Sequence, residues 1–168
     1  DHLNLSEANF SEVDFSNKDL NGTILTKANL SGVNFTKVNL QDAILIEANL
    51  TNAELKDSDL RKTNFTGAIF TGAGLLQANF SDSNLTGVDL SNIDLADTML
   101  TRSNLSGVTL TGANLNGAIL VNTNFTGANL TGVDLSNMDL TGTILLNANL
   151  TGVNLKGSNL NRAILTNA

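Results

Sequence analysis

Every position whose number is a multiple of five is Leu or Phe, from Leu5 to Leu165, thirty-three times without a miss. All seven phenylalanines keep that beat: Phe10, Phe15, Phe35, Phe65, Phe70, Phe80 and Phe125. An amphipathic helix repeats every 3.6 residues and a strand every 2, so a period of five belongs to neither and marks a repeated structural unit. Two positions before each centre the residue is nearly always small, as at Ala8, Val13, Ala28, Ala48, Ala113 and Ala128. Just before the centre stands mostly Asn or Asp; after it comes Ser or Thr, then Gly, Asn or a charge. A large and a small apolar residue two apart point the same way from an extended backbone, which predicts a core on one side and three water-facing positions.

The turns follow from the same register. Thirteen of the fourteen glycines lie two after a centre, for example Gly67, Gly107 and Gly152. A type II turn starting at the centre needs φ > 0 there. The Asn or Asp before the centre and the Ser or Thr after it can bond nearby backbone and satisfy the corner. Straight pieces joined by a turn every five residues wind into a coil, with coils stacked at about 4.8 Å. No proline is present to remove a donor from the ladder between coils.

Pentads such as Ala128-Asn129-Leu130-Thr131-Gly132 match the motif Ala-(Asp/Asn)-Leu-x-x, and the chain as a whole resembles the pentapeptide repeat family. That resemblance implies an all-β fold, a right-handed quadrilateral parallel β-helix with four pentads per coil. It further implies a single domain over residues 1–168, with repeats from 3 to 167, in about eight coils some 40 Å long at that spacing. Phe15 and Phe35, twenty apart, are then neighbours in one stack. Four residues depart from the small position: Leu3, Lys18, Ile93 and Met138. Lys18 is expected to escape towards the open N-terminal end. Ile24, Ile44, Ile69, Met99, Ile119, Ile144 and Ile164 replace the Asn or Asp and are expected on the surface. Pentad 73–77 lacks the polar residue and is expected to form the least regular corner.

A slower repeat overlies the fast one. Segments 11–45, 86–120 and 131–165 share Val-Asp-(Phe/Leu)-Ser-Asn early and Ala-Ile-Leu late, and they carry Lys18, Ile93 and Met138 at one equivalent place. The offsets, 75 and 45, are multiples of five but not of twenty, so copies fall on different sides of a four-sided coil. A ligand acting on one side would not have tolerated that, which favours a structural reading.

Composition mainly excludes. With no cysteine there is no disulfide frame, thiolate metal site or cysteine nucleophile. The one histidine, His2, stands at the chain start and reads as a terminal residue rather than a ligand. A net charge of −7 argues against direct nucleic-acid binding and against an anionic membrane surface. No apolar run is long enough to insert in a membrane. The many Asn-x-Ser/Thr triplets arise automatically from the repeat and carry no glycosylation signal. No cofactor or metal is implied. Beginning at Asp1 rather than Met, the chain reads as a processed or trimmed sequence; export through a removed leader is the expectation.

The carboxylates are the one candidate constellation. Asp14, Glu54, Asp94 and Asp134 are spaced by 40 residues, two coils, and should line one side about 10 Å apart. Asp57 and Asp97 join them as an interaction face, diluted by Lys37, Lys56 and Lys156. General acid–base catalysis would need a deep pocket at Asp94 and Asp97, and a smooth prism offers none. The reading is a non-enzymatic structural or protein–protein interaction rod whose protein partner is unknown. A weak end-to-end homodimer through Ile144 and Ile164 is a further expectation. The resemblance implies one alternative: family members that protect bacteria from quinolones look like duplex DNA and bind DNA gyrase. Duplex DNA carries one charge per roughly 1.7 Å, whereas seven net charges over the rod give one per ~6 Å. Cyanobacterial abundance of the family places the chain first in a thylakoid lumen or periplasm, with the cytoplasm as the alternative.

Overall fold

A computed structural model describes residues 3–168, so the expectation for His2 lies outside the described residues. The pentad is the unit of the fold. The residue before each centre pairs in parallel with the residue twenty further on, as in Asn29 with Asn49 and Asn104 with Asn124. Twenty residues therefore make one four-sided coil. Leu25 N–H donates to Ile44 O at 2.7 Å, and Ile44 N–H donates back to Thr23 O at 3.0 Å. The expected parallel ladder is present, but as isolated single-residue bridges rather than strands. Each side has room for one bridge before the next corner, which is why no longer strand forms.

All corners share one conformation. Every described residue two past a centre has positive φ, 56–62° at twenty non-glycine positions and 65–75° at thirteen glycines. The i to i+3 bond closes each turn, for instance Ala28 N–H to Leu25 O at 3.1 Å. These are the two marks of the expected type II turn. The Asx residue before the centre caps it: Asn49 Oδ1 accepts the Thr51 N–H at 3.1 Å and the Thr51 hydroxyl at 2.6 Å. Asn side chains also bond along the rod, Asn29 Nδ2 to Asn9 Oδ1 at 3.0 Å and Asn124 Nδ2 to Asn104 Oδ1 at 3.2 Å.

The four sides are numbered by their first centres: side one from Leu5, side two from Phe10, side three from Phe15 and side four from Leu20. Centres from Leu25 to Leu145 are buried, as expected, whereas Leu5, Phe10, Phe15, Leu20 and the centres from Leu150 on are only partly covered. The expectation that all thirty-three lie inside thus holds for the interior coils alone. Phe15 stacks on Phe35 with ring centroids 5.7 Å apart, as the period requires. Lys18 is exposed. Among the inward small positions, side one carries a row of buried hydroxyls, Thr23, Thr63, Ser83, Ser103, Thr123 and Thr143. Main-chain carbonyls inside the coil accept from four of them, Thr63, Ser103, Thr123 and Thr143: Thr63 Oγ1 donates to Leu40 O at 2.7 Å and Thr123 Oγ1 to Leu100 O at 2.8 Å. Ser83 Oγ has no partner.

The ladder is interrupted twice. Bridges between Ile69 and Asp89 and between Gly74 and Asp94 are not formed, nor are those between Asn114 and Asp134 and between Ile119 and Asp139. The first seam runs between residues 67–75 and 86–94, the second between 112–120 and 131–139. Each upper lip contains an oversized inward residue, Ile93 or Met138, set above an alanine twenty positions earlier, Ala73 or Ala118. A side chain larger than its slot wedges packed layers apart. Sequence reading expected an irregular corner at 73–77; instead Gln77 turns normally, at φ 60°, and the irregularity lies at the Gly74 bridge. The second seam was not expected.

Candidate interaction face and cleft

Asp14, Glu54, Asp94 and Asp134 all occupy the bridge position of side three, as their spacing requires. Asn34 pairs with both Asp14 and Glu54, and Asn114 pairs with Asp94. Both seams cut this row, between Gly74 and Asp94 and between Asn114 and Asp134. Asp57 and Asp97 sit at the next corner, both at φ 57°, with exposed side chains. The structure thus places the six acids on one side and its edge, and the two seams divide them into three groups: Asp14, Glu54 and Asp57; Asp94 and Asp97; and Asp134.

Charge is distributed unequally around the rod. On sides one and two, residues 63–72, 83–92, 103–112, 123–132 and 143–152 contain a single ionisable residue, Asp89. Their exposed positions are mostly Thr, Ser, Asn and Gly, with the amides and hydroxyls tied to one another: Asn84 Nδ2 donates to Thr66 Oγ1 at 3.1 Å and Asn104 Nδ2 to Thr86 Oγ1 at 3.0 Å. Over the same stretch sides three and four carry the other charges, and they hold two of the three ion pairs among the described residues, Arg61–Asp59 at 2.6 Å and Arg102–Asp82 at 2.7 Å. The third, Lys27–Glu47 at 3.7 Å, joins side one's corners nearer the N-terminus.

Of the isoleucines and methionine expected on the surface, Ile69, Met99, Ile119 and Ile164 are exposed. Ile24, Ile44 and Ile144 are only half-buried; Ile24 pairs with Ile44 and Ile144 with Ile164. Met99 and Ile119 pair on side four and form an apolar step beside the charges. Sequence reasoning named them without placing them together, although their twenty-residue spacing carried that information.

A sizeable cleft lies at the second seam, about 710 Å³, lined by Ala113–Ala118 below and by Asp134, Ser136, Met138 and Asp139 above. It is not at Asp94 and Asp97. Asp139, which sequence reading did not select, shares the rim with Asp134. The Ser136 backbone N–H, and then its hydroxyl, hold the Asp134 carboxyl below the usual range; the Thr141 hydroxyl and backbone do the same for Asp139. Asp14 is lowered likewise by Ser16, Asp89 by Ser91, Asp59 by Arg61 and Asp82 by Arg102.

A depressed folded-state pKa contributes stability that is complete above the unfolded value, about 3.9, and is lost as pH falls through the folded value. The urea midpoint should therefore hold steady from pH 7 to 5 and fall below about pH 4. An equal midpoint at pH 7 and pH 3 would show that these caps do not favour the folded carboxylates. Among the described residues no group of three or more His, Cys, Asp or Glu could hold a metal ion, and no helix is long and apolar enough to cross a membrane.

A four-sided coil with one Asx-capped, left-handed corner per five residues defines a pentad solenoid. The pentapeptide repeats family matches in eight copies, over residues 4–42, 34–72, 78–117, 110–147 and 144–168. The chain belongs to the pentapeptide repeat family. Among solved structures it is similar to HetL, a pentapeptide repeat protein involved in heterocyst differentiation regulation from the cyanobacterium Nostoc sp. strain PCC 7120. The identity is 30%, over 95% of this chain and 88% of that one, with a TM-score of 0.34. It is similar also to a trypsin-treated variant of QnrB1, a plasmid-mediated fluoroquinolone resistance protein, at 23% identity over 94% and 84% of the two chains and a TM-score of 0.50. A third is a pentapeptide repeat protein of the Arabidopsis thaliana thylakoid lumen, 27% identical over 73% and 68%, TM-score 0.40. No curated protein matches the chain significantly.

Proposed function

We propose that the chain is a right-handed quadrilateral β-helical rod, one domain over residues 1–168, that works as a non-enzymatic structural or protein-binding element and docks its partner on sides three and four. The observation that carries this is the segregation of charge. From residue 53 onwards the ionisable groups other than Asp89, the Met99–Ile119 step and the cleft share those two sides, whereas sides one and two present a near-neutral, internally bonded lattice. A surface that mixes charge with exposed apolar anchors supplies both steering and burial to a partner; side two has one exposed apolar residue, Ile69, but no charge beside it other than Asp89 in the next coil. Asp94, Asp97 and Asp134 belong to the docking face; Asp14, Glu54 and Asp57 extend it towards the N-terminus.

The alternative, a DNA-like surface directed at DNA gyrase, has support in the acidic net charge. The neutral half of the rod weighs against it, since duplex DNA presents phosphate all around its axis. A thylakoid lumen or periplasm remains the proposed location.

The test pairs capture from the source organism's extract with side-specific variants. Asp94→Lys with Ile119→Asp should abolish retention of a captured partner, and Thr111→Lys with Thr131→Lys on side two should not. Loss with the side-two pair, or with both, refutes the assignment of the face. Inhibition of gyrase supercoiling at micromolar rod would establish the alternative.

A further inference from the structure

The second seam holds more than a packing fault. In an intact coil pair the lower coil donates at the centre and at the corner, and the upper coil donates back at the bridge residue, as Leu95 N–H to Asn114 O at 2.8 Å, Asp97 N–H to Asn116 O at 3.0 Å and Asn114 N–H to Ile93 O at 3.1 Å. Twenty residues on, the corresponding donors Leu115, Gly117 and Leu120 on the lower lip, and Asp134 and Asp139 on the upper lip, make no such bond. Both lips of the cleft therefore carry main-chain donors and acceptors that the coil ladder leaves unpaired. Folded proteins pair their buried main-chain groups almost without exception, so a row left open on two facing lips is a place where a strand can take over from water.

We propose that the cleft between residues 112–120 and 131–139 is a slot for an extended, basic peptide segment of a partner protein, which adds its main chain to the interrupted ladder. The inference rests on the reading of the rod as a protein-binding element and names the chemistry of what it binds. An extended main chain offers donors and acceptors in alternation, as the two lips do, and is the ligand of other cases of strand addition. The corner at Gly117 bends the lip, so a straight segment pairs along one side of it. Leu115, Ala118 and Met138 give an apolar floor for a side chain that points inward, and methionine adapts its shape to what lies against it. Asp134 and Asp139 stand at the rim, and the ion pairs among the described residues all lie elsewhere. Two exposed carboxylates without a cationic partner select a lysine or arginine. The volume, about 710 Å³, lies within the roughly 300–1,000 Å³ of ordinary ligand sites.

The seam is also written in the sequence twice. Residues 67–75 and 112–120 share Gly-Ala-x-(Phe/Leu)-x-Gly-Ala-x-Leu, and residues 86–94 and 131–139 share Thr-Gly-Val-Asp-Leu-Ser-Asn-(Ile/Met)-Asp, at the offset of 45 that relates the slow repeats. At the first seam the inward residues stay buried, Ala73 and Ile93 among them; at the second, Ala113 and Met138 are half-exposed and the cleft opens. Methionine in place of isoleucine is what distinguishes the second upper lip.

The test uses the full chain and a capped pentapeptide, acetyl-Thr-Val-Lys-Val-Thr-amide, with a Lys-to-Glu version and a backbone N-methylated version as controls. In the free protein the Leu115, Gly117 and Leu120 amides should exchange far faster than the ladder-bonded Leu105 and Leu130. Saturating lysine peptide should slow the amide on the side it pairs, Leu115 or Leu120, at least about ten-fold, the glutamate peptide should bind about ten-fold more weakly, and the N-methylated one not at all. Met138→Ala should let the lips close, protecting those amides without peptide and abolishing binding. Should that variant not fold, Asp139→Asn, exposed and conservative, should still remove most of the preference for lysine over glutamate. Equal binding of the lysine and glutamate peptides, or full amide protection in the free wild-type protein, overturns the slot. A partner captured by wild type and equally by a folded Met138→Ala rod overturns the slot while leaving the protein-binding reading standing. Peptide binding with capture insensitive to every side-three and side-four change refutes that reading instead.

Discussion

Phe65→Ala should destabilise the rod by about 3–5 kcal/mol, the range for emptying a fully buried aromatic site. Phe65 is wholly buried, and its ring lies 5.2 Å from Phe70 and 5.8 Å from Phe80, centroid to centroid. Three rings from three sides of a single coil thus meet across the rod axis, with Phe70 and Phe80 at 6.5 Å. The edge-to-face pairs add to the area each ring buries, so removing the ring shared by both close pairs costs more than a Leu→Ala change one coil away. The cavity has no easy route to collapse, because corners closed by main-chain bonds fix the distance across the coil. Phe10→Ala, at a site only partly covered, should cost clearly less. Since each coil touches only its neighbours, the loss of amide protection should concentrate between about residues 45 and 105 rather than spread along the rod. Urea unfolding with exchange detected by NMR reads both. Equal costs for Phe65→Ala and Phe10→Ala would mean that the interior stack is no better packed than the end.

The parts of this fold that depend on one residue and its near neighbours were legible in the sequence. Period five in Leu and Phe gave the core, and the i−1 Asn or Asp gave the caps. Glycine two after the centre gave the corner, and the structure extends that corner to Lys37, Asp57 and Arg102, all at φ 57–58°. Those side chains accept a conformation that costs an ordinary residue about 1–2 kcal/mol because the closed turn on either side imposes it. What depends on the pairing of residues twenty apart was less legible. Ala118 and Met138 are each ordinary when read alone; only their vertical neighbourhood makes a wedge. The same holds for Met99 with Ile119, and for the near-neutral lattice of sides one and two, which shows only when the chain is folded into columns of twenty. The slow repeat suggested duplication indifferent to the face. Its offset of 45 also carries a whole seam from one place to another, so the copies preserve a break in the ladder even though they do not preserve a side.

Whether the second seam is open in solution can be read from two prolines at equivalent positions. Asn129 and Asp134 each precede a centre, follow a small inward residue, Ala128 or Val133, and cap the next corner: Asn129 Oδ1 accepts from Thr131 N–H at 3.2 Å and Asp134 Oδ1 from Ser136 N–H at 2.9 Å. Proline removes the cap in both, fixes φ in both and restricts the preceding residue in both. The difference is the main-chain donor. Asn129 N–H bonds Val108 O at 2.8 Å, whereas Asp134 N–H faces the seam and bonds nothing in the coil below. Asn129→Pro also strands the Val108 carbonyl, so it should cost roughly 1–3 kcal/mol more than Asp134→Pro. Matched urea midpoints for the two variants would show that Asp134 does pair with Ala113 in solution, and the cleft would then be a closed joint with nothing left for a strand to complete.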